Sequence, residues 1–449
     1  MKPISVPPPP VSLLAPFDAK LAVLLLVMMT AFSILPAGFE WSSYEASYSE
    51  DGSIGFKIQW ALVFGITFLL ALKYRTLALQ TLGRVNPMLL VFVLYVAMTL
   101  AWSELPIATA KKIVQLVGIL TAAVVFQLLR KPLSFMLKIV LSVIFLIELA
   151  SVFVGLAVPS IGVDPGFGTA WRGVLSGKNA LGYVAAIYSI LWLGLAVLEP
   201  ISIRIHAIGL GLGALCLIKS TSSTGLTIAI LGMGIILLVR RQHIGSPLWL
   251  VRSWTVVSIV VLCALQVFFI QESRLPEWKE IIGPFAKLFG KGSDLTGRTE
   301  IWEFVRIEIE RHWLLGIGYG AFWHGPGSAA QIVIDHLPWI PTQAHNGYLD
   351  IWNELGTLGL LLMACVLLAH IHQLFQLASF NRPVAGLHGA IVAVTCVSNF
   401  SESSLFRGVG FENILLIFSI VSVSILLHEH RSNFGINTMT ELKNRPIKP

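Results

Sequence analysis

Runs of apolar residues recur along this chain, each long enough to cross a lipid bilayer, and they constrain its fold more than any other feature. A helix rises ~1.5 Å per residue, so ~20 apolar residues span ~30 Å of hydrocarbon. In lipid, a helix satisfies its own backbone hydrogen bonds, whereas an exposed loop does not. We therefore predict an all-α polytopic integral membrane protein with about 12 transmembrane helices, at residues 20–36, 58–73, 86–102, 112–129, 136–157, 180–198, 203–219, 224–239, 250–270, 353–373, 384–400 and 411–428.

The composition supports this interpretation. Of the 449 residues, 55% are hydrophobic and 12% are charged, whereas a soluble domain carries about 25% charged residues. A soluble enzyme, a disordered chain and a disulfide scaffold are therefore excluded. The net charge of +7 is not accompanied by a basic and aromatic face, so we predict no nucleic-acid partner and assign the excess charge to membrane orientation.

The spans divide the chain into five segments. Residues 1–19, with prolines at 7–10, are predicted to be a disordered cytoplasmic lead-in. Residues 20–270 hold the first nine helices, and 271–352 form a large periplasmic loop with short helices. Residues 353–428 hold the last three helices, and 429–449 form a basic cytoplasmic tail.

The distribution of charge predicts the orientation. Basic residues fall in every second connection, while most acidic residues fall in the others, and cytoplasmic loops are enriched in lysine and arginine. The N- and C-termini are therefore predicted to be cytoplasmic. The first apolar run resembles a secretory signal, but the alternation of charge requires that it be retained. The basic residues of the predicted inner connections are Lys73, Arg75, Arg84, Arg130, Lys131, Lys138, Arg204, Arg240, Arg241, Arg252 and Arg382.

Polar residues cluster at the predicted outer ends of several spans. They lie at residues 171–179, 219–224 and 401–407. Because these segments are predicted to meet at one membrane face, we expect an interfacial site there. Basic residues at helix ends also serve as headgroup anchors, and an acid and an arginine five residues apart also suit a structural ion pair. The candidate residues are Arg172, Lys178, Asn179, Lys219, Glu402 and Arg407.

The long loop begins its helical part near Arg298. Thr296 suits the N-cap of a helix running to about His312. Arg298 then stands at a helix N-terminus, where free N–H groups favour an anion, and its planar fork matches phosphate oxygens. The alternative is a surface arginine that caps its own loop. Residues 316–320 carry three glycines, but no strand precedes them, so we predict a tight turn and not a dinucleotide site.

The loop ends in residues 344–356, which run into the tenth span. On a helix, His345, Tyr348, Leu349 and Trp352 share one face. Tyrosine and tryptophan suit the headgroup region, so His345 is predicted to lie one turn above the bilayer. Histidine accepts a proton near neutral pH, although a purely structural histidine is the alternative.

The absence of several catalytic and metal-binding motifs limits the reactions that this chain can catalyse. The sequence has no H-E-x-x-H zinc pattern, no D-x-D pair, no G-x-S-x-G elbow and no P-loop. We therefore predict no metal and no cofactor. An outward-facing site also has no ATP or sugar nucleotide, so a donor must arrive activated. A lipid-linked diphosphate meets both conditions.

Three motifs together resemble those of the bacterial O-antigen ligase/polymerase superfamily, whose members use undecaprenyl-diphosphate-linked glycans. They are Arg–Thr–x–x–Trp at 298–302, Gly–x–Gly at 316–318 and His–Asn–x–Tyr at 345–348. The resemblance covers nearly the whole chain, and residues 173–179 look like the subgroup that polymerises exopolysaccharide repeats. The loop at 219–225 lacks the arginine that the ligase branch usually carries there. This departure favours a polymerase over a ligase or a non-catalytic lipid-glycan transporter.

The resemblance implies roles for particular residues. Arg298 would hold the donor diphosphate, and His345 would act on the acceptor hydroxyl of a second glycan. Transfer would be inverting and metal-independent, at the periplasmic face of the inner membrane. Implied partners are the undecaprenyl-diphosphate-linked donor, a glycan acceptor, the lipid bilayer and a chain-length regulator or export proteins. From the polar clusters and motifs themselves, we predict that further residues bind the diphosphate or the glycan, namely Arg172, Lys178, Asn179, Lys219, Asn346, Tyr348, Glu402 and Arg407.

Overall fold

The computed structural model describes residues 12–36, 53–200, 202–240, 298–337 and 340–443. This part of the chain is helical, and the pairing of Val163 with Trp171 is an isolated bridge. Its helices are α1 (Pro16–Ile34), α2 (Ile54–Lys73), α3 (Arg75–Leu82), α4 (Pro87–Met98), α5 (Pro106–Gln127), α6 (Leu133–Ala157), α7 (Pro159–Gly162), α8 (Lys178–Leu198), α9 (Ile203–Ser220), α10 (Ser223–Arg240), α11 (Arg298–Arg311), α12 (Gln331–Ile334), α13 (Gly347–Ala378), α14 (Arg382–Ser398) and α15 (Phe411–Lys443).

Within these described residues, nine helices are long and apolar enough to cross a membrane. The pair α3 and α4, bent by 106°, would make a tenth span. Helix α14 is also apolar but shorter. The predicted ninth span, residues 250–270, lies outside the described residues, and every other predicted span coincides with a helix. The all-α polytopic class is therefore confirmed, while the number twelve stays a prediction.

Proline and asparagine set the starts of several spans. Pro16, Pro87 and Pro106 each occupy the first residue of a helix, where the missing N–H costs nothing. Before α4, the Asn86 side chain accepts a hydrogen bond from the Met88 amide, which satisfies one of the free donors at the helix start. The sequence thus fixes these boundaries locally.

The helices that carry the polar clusters pack closely. Helix α8 packs against both α9 and α10, and α10 packs against α14. Glycines permit this approach, since a Cβ on Gly225 would lie 2.6 Å from the Gly182 carbonyl oxygen. The first residue of α8, the α9–α10 turn and the connection from α14 to α15 therefore meet at one end of the bundle.

Helix α13 is broken at Gly356. This residue has φ 66° and ψ −174°, a conformation that is essentially restricted to glycine. Residues 313–318 pair with the backbone groups that the break frees. The four bonds run from Ile317 N to Asn353 O (3.2 Å), from Gly318 N to Glu354 O (3.0 Å), from Thr357 N to Trp313 O (2.8 Å) and from Leu358 N to Leu314 O (3.2 Å).

The glycines of residues 316–320 make this pairing possible. Gly316, Gly318 and Gly320 all have positive φ, so the predicted tight turn is present. A Cβ on Gly316 would lie 2.4 Å from the carbonyl carbon of Glu354, and one on Gly356 would lie 2.3 Å from that of Leu314. Side chains are excluded at both positions because the two backbones touch there.

Candidate active site

Glu402 lies between the two residues that the motifs singled out. Its Oε1 is 3.7 Å from Nη2 of Arg298, and its Oε2 is 3.4 Å from Nδ1 of His345. All three side chains are partly exposed, at 21% for Arg298, 26% for His345 and 31% for Glu402. Residues more than 100 positions apart in the chain therefore form one cluster that a ligand can reach.

The structure places His345 before the helix and not on it, so the prediction of a shared helix face is wrong. Helix α13 begins at Gly347, and the Asn346 side chain caps it by accepting from the amides of Tyr348 (3.1 Å) and Leu349 (3.3 Å). His345 itself has φ 50°. An asparagine cap competes with helix continuation, and it turns the chain so that His345 faces Glu402.

Gln343 is a member of the cluster that the sequence analysis missed. Its Nε2 donates to Oε2 of Glu402 (3.0 Å), and its Oε1 accepts from the amide of Ser403 (3.1 Å). The same Nε2 lies 3.3 Å from Nδ1 of His345. Gln343 therefore fixes the carboxylate that faces both candidate catalytic residues. Its place two residues before His345 was the only signal in the sequence.

Arg407 lies in a buried ionic network next to the cluster. It is 8% exposed, pairs with Asp350 and reaches Glu354 at 3.4 Å through Nη2. Asp350 also accepts from Trp323 Nε1 at 2.7 Å and from the Ala344 amide. The two acids were missed in the sequence, although their spacing of four residues places them one turn apart on α13. Arg407 thus joins the α14–α15 connection to the first turns of α13.

A cavity of about 630 Å³ opens beside Glu402. It is lined by the C-terminal end of α1, the start of α8, the α9–α10 turn and the start of α15. Its polar side chains are mostly hydroxyls and amides, together with two carboxylates, Glu402 and Glu412. Ser398 and Ser404 both donate to Oε2 of Glu412. The polar side chains of the lining are Ser33, Ser176, Asn179, Tyr183, Ser222, Thr224, Gln343, Glu402, Ser403, Ser404 and Glu412.

Two of the predicted binding residues, Asn179 and Glu402, line the cavity. Three of the predicted basic residues contact other parts of the protein instead. Lys178 Nζ lies 4.0 Å from the centre of the Phe167 ring, and Lys219 Nζ lies 5.1 Å from that of Trp171. Arg172 donates through Nε to the carbonyl of Ile161 at 2.7 Å. These contacts hold the three cations against the loop before α8, so a role in binding the diphosphate stays a prediction.

Tyr348 is directed toward α14. Its hydroxyl donates to the Cys396 carbonyl at 2.9 Å, and its ring lies 4.8 Å from that of Phe400. Together with the bond from the Gly347 amide to the Asn399 carbonyl (2.9 Å), this contact fixes the start of α13 against the end of α14. Glycan binding by Tyr348 or Asn346 stays a prediction.

Among the described residues, Glu104, Glu308 and His312 offer three potential metal ligands within 4.8 Å of one another. The same atoms already contact one another, because His312 Nε2 lies 3.3 Å from Oε1 of Glu308 and 3.6 Å from Oε1 of Glu104. Arg311 also pairs with Glu308 at 3.0 Å. None of the three lines the cavity, and their mutual pairing accounts for the cluster.

Comparison with known proteins gives two similarities. The model of a family described as O-antigen ligase matches residues 207–364, a range that includes the glycine turn, His345 and the break in α13. The exopolysaccharide production protein ExoQ of Rhizobium meliloti (strain 1021) is 27% identical over 281 residues. The matched region covers 60% of this chain and 58% of ExoQ. Both findings confirm the resemblance of this chain to the O-antigen ligase/polymerase superfamily, near its exopolysaccharide proteins.

Proposed function

We propose that this protein is a glycosyltransferase that polymerises undecaprenyl-diphosphate-linked oligosaccharide repeats into a surface or exopolysaccharide. The observation that carries the proposal is the position of Glu402 between Arg298 and His345, beside a cavity rich in hydroxyl and amide groups. A cation, a proton acceptor and a sugar-sized cavity are the parts that glycosyl transfer from a diphosphate requires.

In the proposed reaction, a hydroxyl oxygen of the acceptor attacks the anomeric carbon of the donor sugar. The bond from that carbon to the diphosphate oxygen breaks, and the diphosphate leaves with the electron pair. His345 accepts the hydroxyl proton. Because Nδ1 of His345 faces Glu402, we assign proton transfer to Nε2, with the carboxylate orienting the ring and stabilising the imidazolium. A direct displacement of this kind inverts the anomeric centre.

Arg298 is assigned to the diphosphate. It occupies the first residue of α11, where the helix dipole also favours an anion. Its present contact with Glu402, at 3.7 Å, is longer than a charge-assisted hydrogen bond of about 2.8 Å. A bound diphosphate can therefore compete for the guanidinium, and the cation then stabilises the charge that develops on the leaving group.

The cavity is assigned to the acceptor glycan and not to the diphosphate. Its lining includes two carboxylates and no lysine, arginine or histidine among the described residues. Such a lining repels an anion, whereas carboxylates, amides and hydroxyls bind sugar hydroxyls well. The donor diphosphate is therefore placed on the Arg298 side of Glu402.

The proposed location is the bacterial inner membrane, with the site on the periplasmic face. The distribution of basic residues supports this orientation. The site lies at the end of the bundle where α8, α10 and α15 begin, which is the predicted outer end. A periplasmic site has no nucleotide sugar, so a lipid-linked donor is required. A chain-length regulator or export proteins are the proposed protein partners.

Deletion of the gene in its host tests the reaction class. Loss of high-molecular-weight polysaccharide on a gel, with accumulation of single lipid-linked repeats, is expected for a polymerase. The family description as O-antigen ligase makes ligation the second candidate, and free polymer that fails to reach the lipid core would favour it. Single lipid-linked repeats trapped on the cytoplasmic side of the membrane would favour a transporter and contradict both enzymes.

A further inference from the structure

A second site lies between α2 and α5, with no lining residue in common with the cavity. This groove of about 720 Å³ is lined on one side by an aromatic row at one-turn spacing along α2, and on the other by the start of α5. We propose that it binds an anionic glycerophospholipid, with the phosphate at one end and an acyl chain along the aromatic row. The aromatic row consists of Phe56, Trp60, Phe64 and Phe68.

Positive charge is concentrated at one end of the groove. Lys57, Lys111 and Lys112 line it there, and no acidic side chain is among the described lining residues. Helices α2 and α5 begin at that end, at Ile54 and Pro106, so their N-terminal dipoles add to the positive potential. Lysines placed just beyond an apolar surface are suited to lipid phosphates.

The indole N–H of Trp60 indicates which class of lipid the groove binds. Trp60 is 3% exposed, yet its indole Nε1 has no hydrogen-bond partner among the described residues. A buried indole N–H usually has one. Trp60 lies one turn farther along α2 than the Phe56–Lys57 pair, at the depth where the ester carbonyls of a glycerophospholipid follow its phosphate. Such a carbonyl can accept from Nε1, whereas an isoprenoid chain offers no acceptor.

A second unpartnered atom lies in the same groove. Oε1 of Gln115 is buried and has no hydrogen-bond partner in the described part of the chain. An apolar chain alone would leave both this acceptor and the Trp60 donor unsatisfied at a cost of about 1–3 kcal/mol each. The groove therefore fits a molecule with polar atoms just below its charged group.

From Trp60 onward, the length of the aromatic row along α2 fits within the thickness of the hydrocarbon in one leaflet of the bilayer. From Trp60, at the level assigned to the ester carbonyls, to Phe68 the helix rises about 12 Å at ~1.5 Å per residue, which is within the about 15 Å of half the hydrocarbon core. A lipid anchored at the lysines can therefore lay one acyl chain along the row from Trp60 to Phe68. This assignment does not depend on the proposed glycosyl transfer.

Lipid retention tests the charge requirement. The protein is reconstituted in vesicles of equimolar phosphatidylglycerol and phosphatidylcholine, extracted in mild detergent, and its bound lipid is quantified by mass spectrometry. We expect several-fold enrichment of phosphatidylglycerol in the wild type and its loss in Lys57→Gln/Lys111→Gln. The control Lys20→Gln, an exposed lysine on α1, should retain the enrichment. Equal retention of the two lipids by the wild type would overturn the proposal.

Ester- and ether-linked phosphatidylglycerol test the carbonyl contact. The wild type should retain the ester lipid more strongly, and Trp60→Phe, which keeps an aromatic ring without the N–H, should remove this difference while keeping the preference for anionic headgroups. No ester preference in the wild type would overturn the assignment to Trp60. Displacement of phosphatidylglycerol by undecaprenyl diphosphate at equal concentration would overturn the choice of a glycerophospholipid. Inorganic phosphate should displace neither lipid.

Discussion

At the scale of single residues, the candidate site depends on how the side chains of Arg298 and His345 are oriented, and not only on their charges. Arg298 and Glu402 are partly exposed, so their pairing contributes little stability by itself. The value of the arrangement lies in orientation, because Glu402 and Gln343 fix the direction of His345 while Arg298 presents a planar fork. Two substitutions separate these contributions.

Replacing Arg298 with lysine tests whether the planar guanidinium group is required. Lysine keeps the charge but loses bidentate geometry, so we expect Arg298→Lys to fail nearly as badly as Arg298→Ala, with turnover reduced ~100-fold, or about 3 kcal/mol. Turnover is measured with purified protein and lipid-diphosphate glycan. The control is Arg306→Lys on the same helix, whose exposed side chain pairs with Glu310. Full activity of Arg298→Lys would show that Arg298 only caps its own loop and does not bind the diphosphate.

Replacing His345 with glutamine tests proton transfer. Glutamine can orient a hydroxyl but cannot usefully accept its proton, and a general base contributes about 10²- to 10⁴-fold. We expect that loss in turnover, with donor binding retained, because the diphosphate is assigned to Arg298.

His336→Gln is the matched control, since His336 stacks on Phe304 outside the cluster. Turnover of His345→Gln equal to that of the wild type would reject proton transfer by this residue. Activity that is abolished by a chelator and restored by a divalent ion would reject the metal-independent part of the mechanism.

At the scale of elements, the break in α13 determines where the site residues lie. The four backbone bonds between residues 313–318 and 353–358 fix the first turns of α13 against the glycine turn. Those turns carry Asp350 and Glu354, which hold Arg407, and they follow His345 directly. The glycine motif therefore supports the site from a distance.

Gly356→Ala tests this support. The backbone conformation of Gly356 costs a residue with a side chain about 1–3 kcal/mol, and the new Cβ would meet Leu314 at 2.3 Å. We expect a lower melting temperature in detergent together with reduced turnover. Gly389→Ala in α14 is the control, because its Cβ would meet its nearest neighbour at 3.8 Å. Wild-type stability and turnover in Gly356→Ala would contradict the supporting role.

The sequence predicted most of these elements because membrane spans depend on local composition. Each predicted span within the described residues coincides with a helix, and the start of α11 at Arg298 agrees with the predicted helical run. The position of His345, the break at Gly356 and the partners of Arg407 were not predictable. Each depends on contacts between residues 36 or more positions apart in the chain, which no local pattern records.

At the scale of the whole molecule, the orientation decides which donor is available. The charge distribution predicts that the connection between α5 and α6 lies in the cytoplasm and that residues 298–337 lie in the periplasm. A reporter that is active only in the periplasm should therefore be active when inserted near Gly327, where a Cβ would meet open space, and silent near Lys131. The reverse pattern would contradict both the orientation and the lipid-linked donor.

The contact between the glycine turn and the broken helix also limits how this protein can change during evolution. Gly316 and Gly356 exclude side chains because each backbone occupies the space that the other's Cβ would need. While the two segments stay in register, neither substitution can be compensated at the other position. Homologues should therefore carry both glycines or lack both. Insertions should be absent from residues 313–318 and 353–358, which the four backbone bonds hold in register.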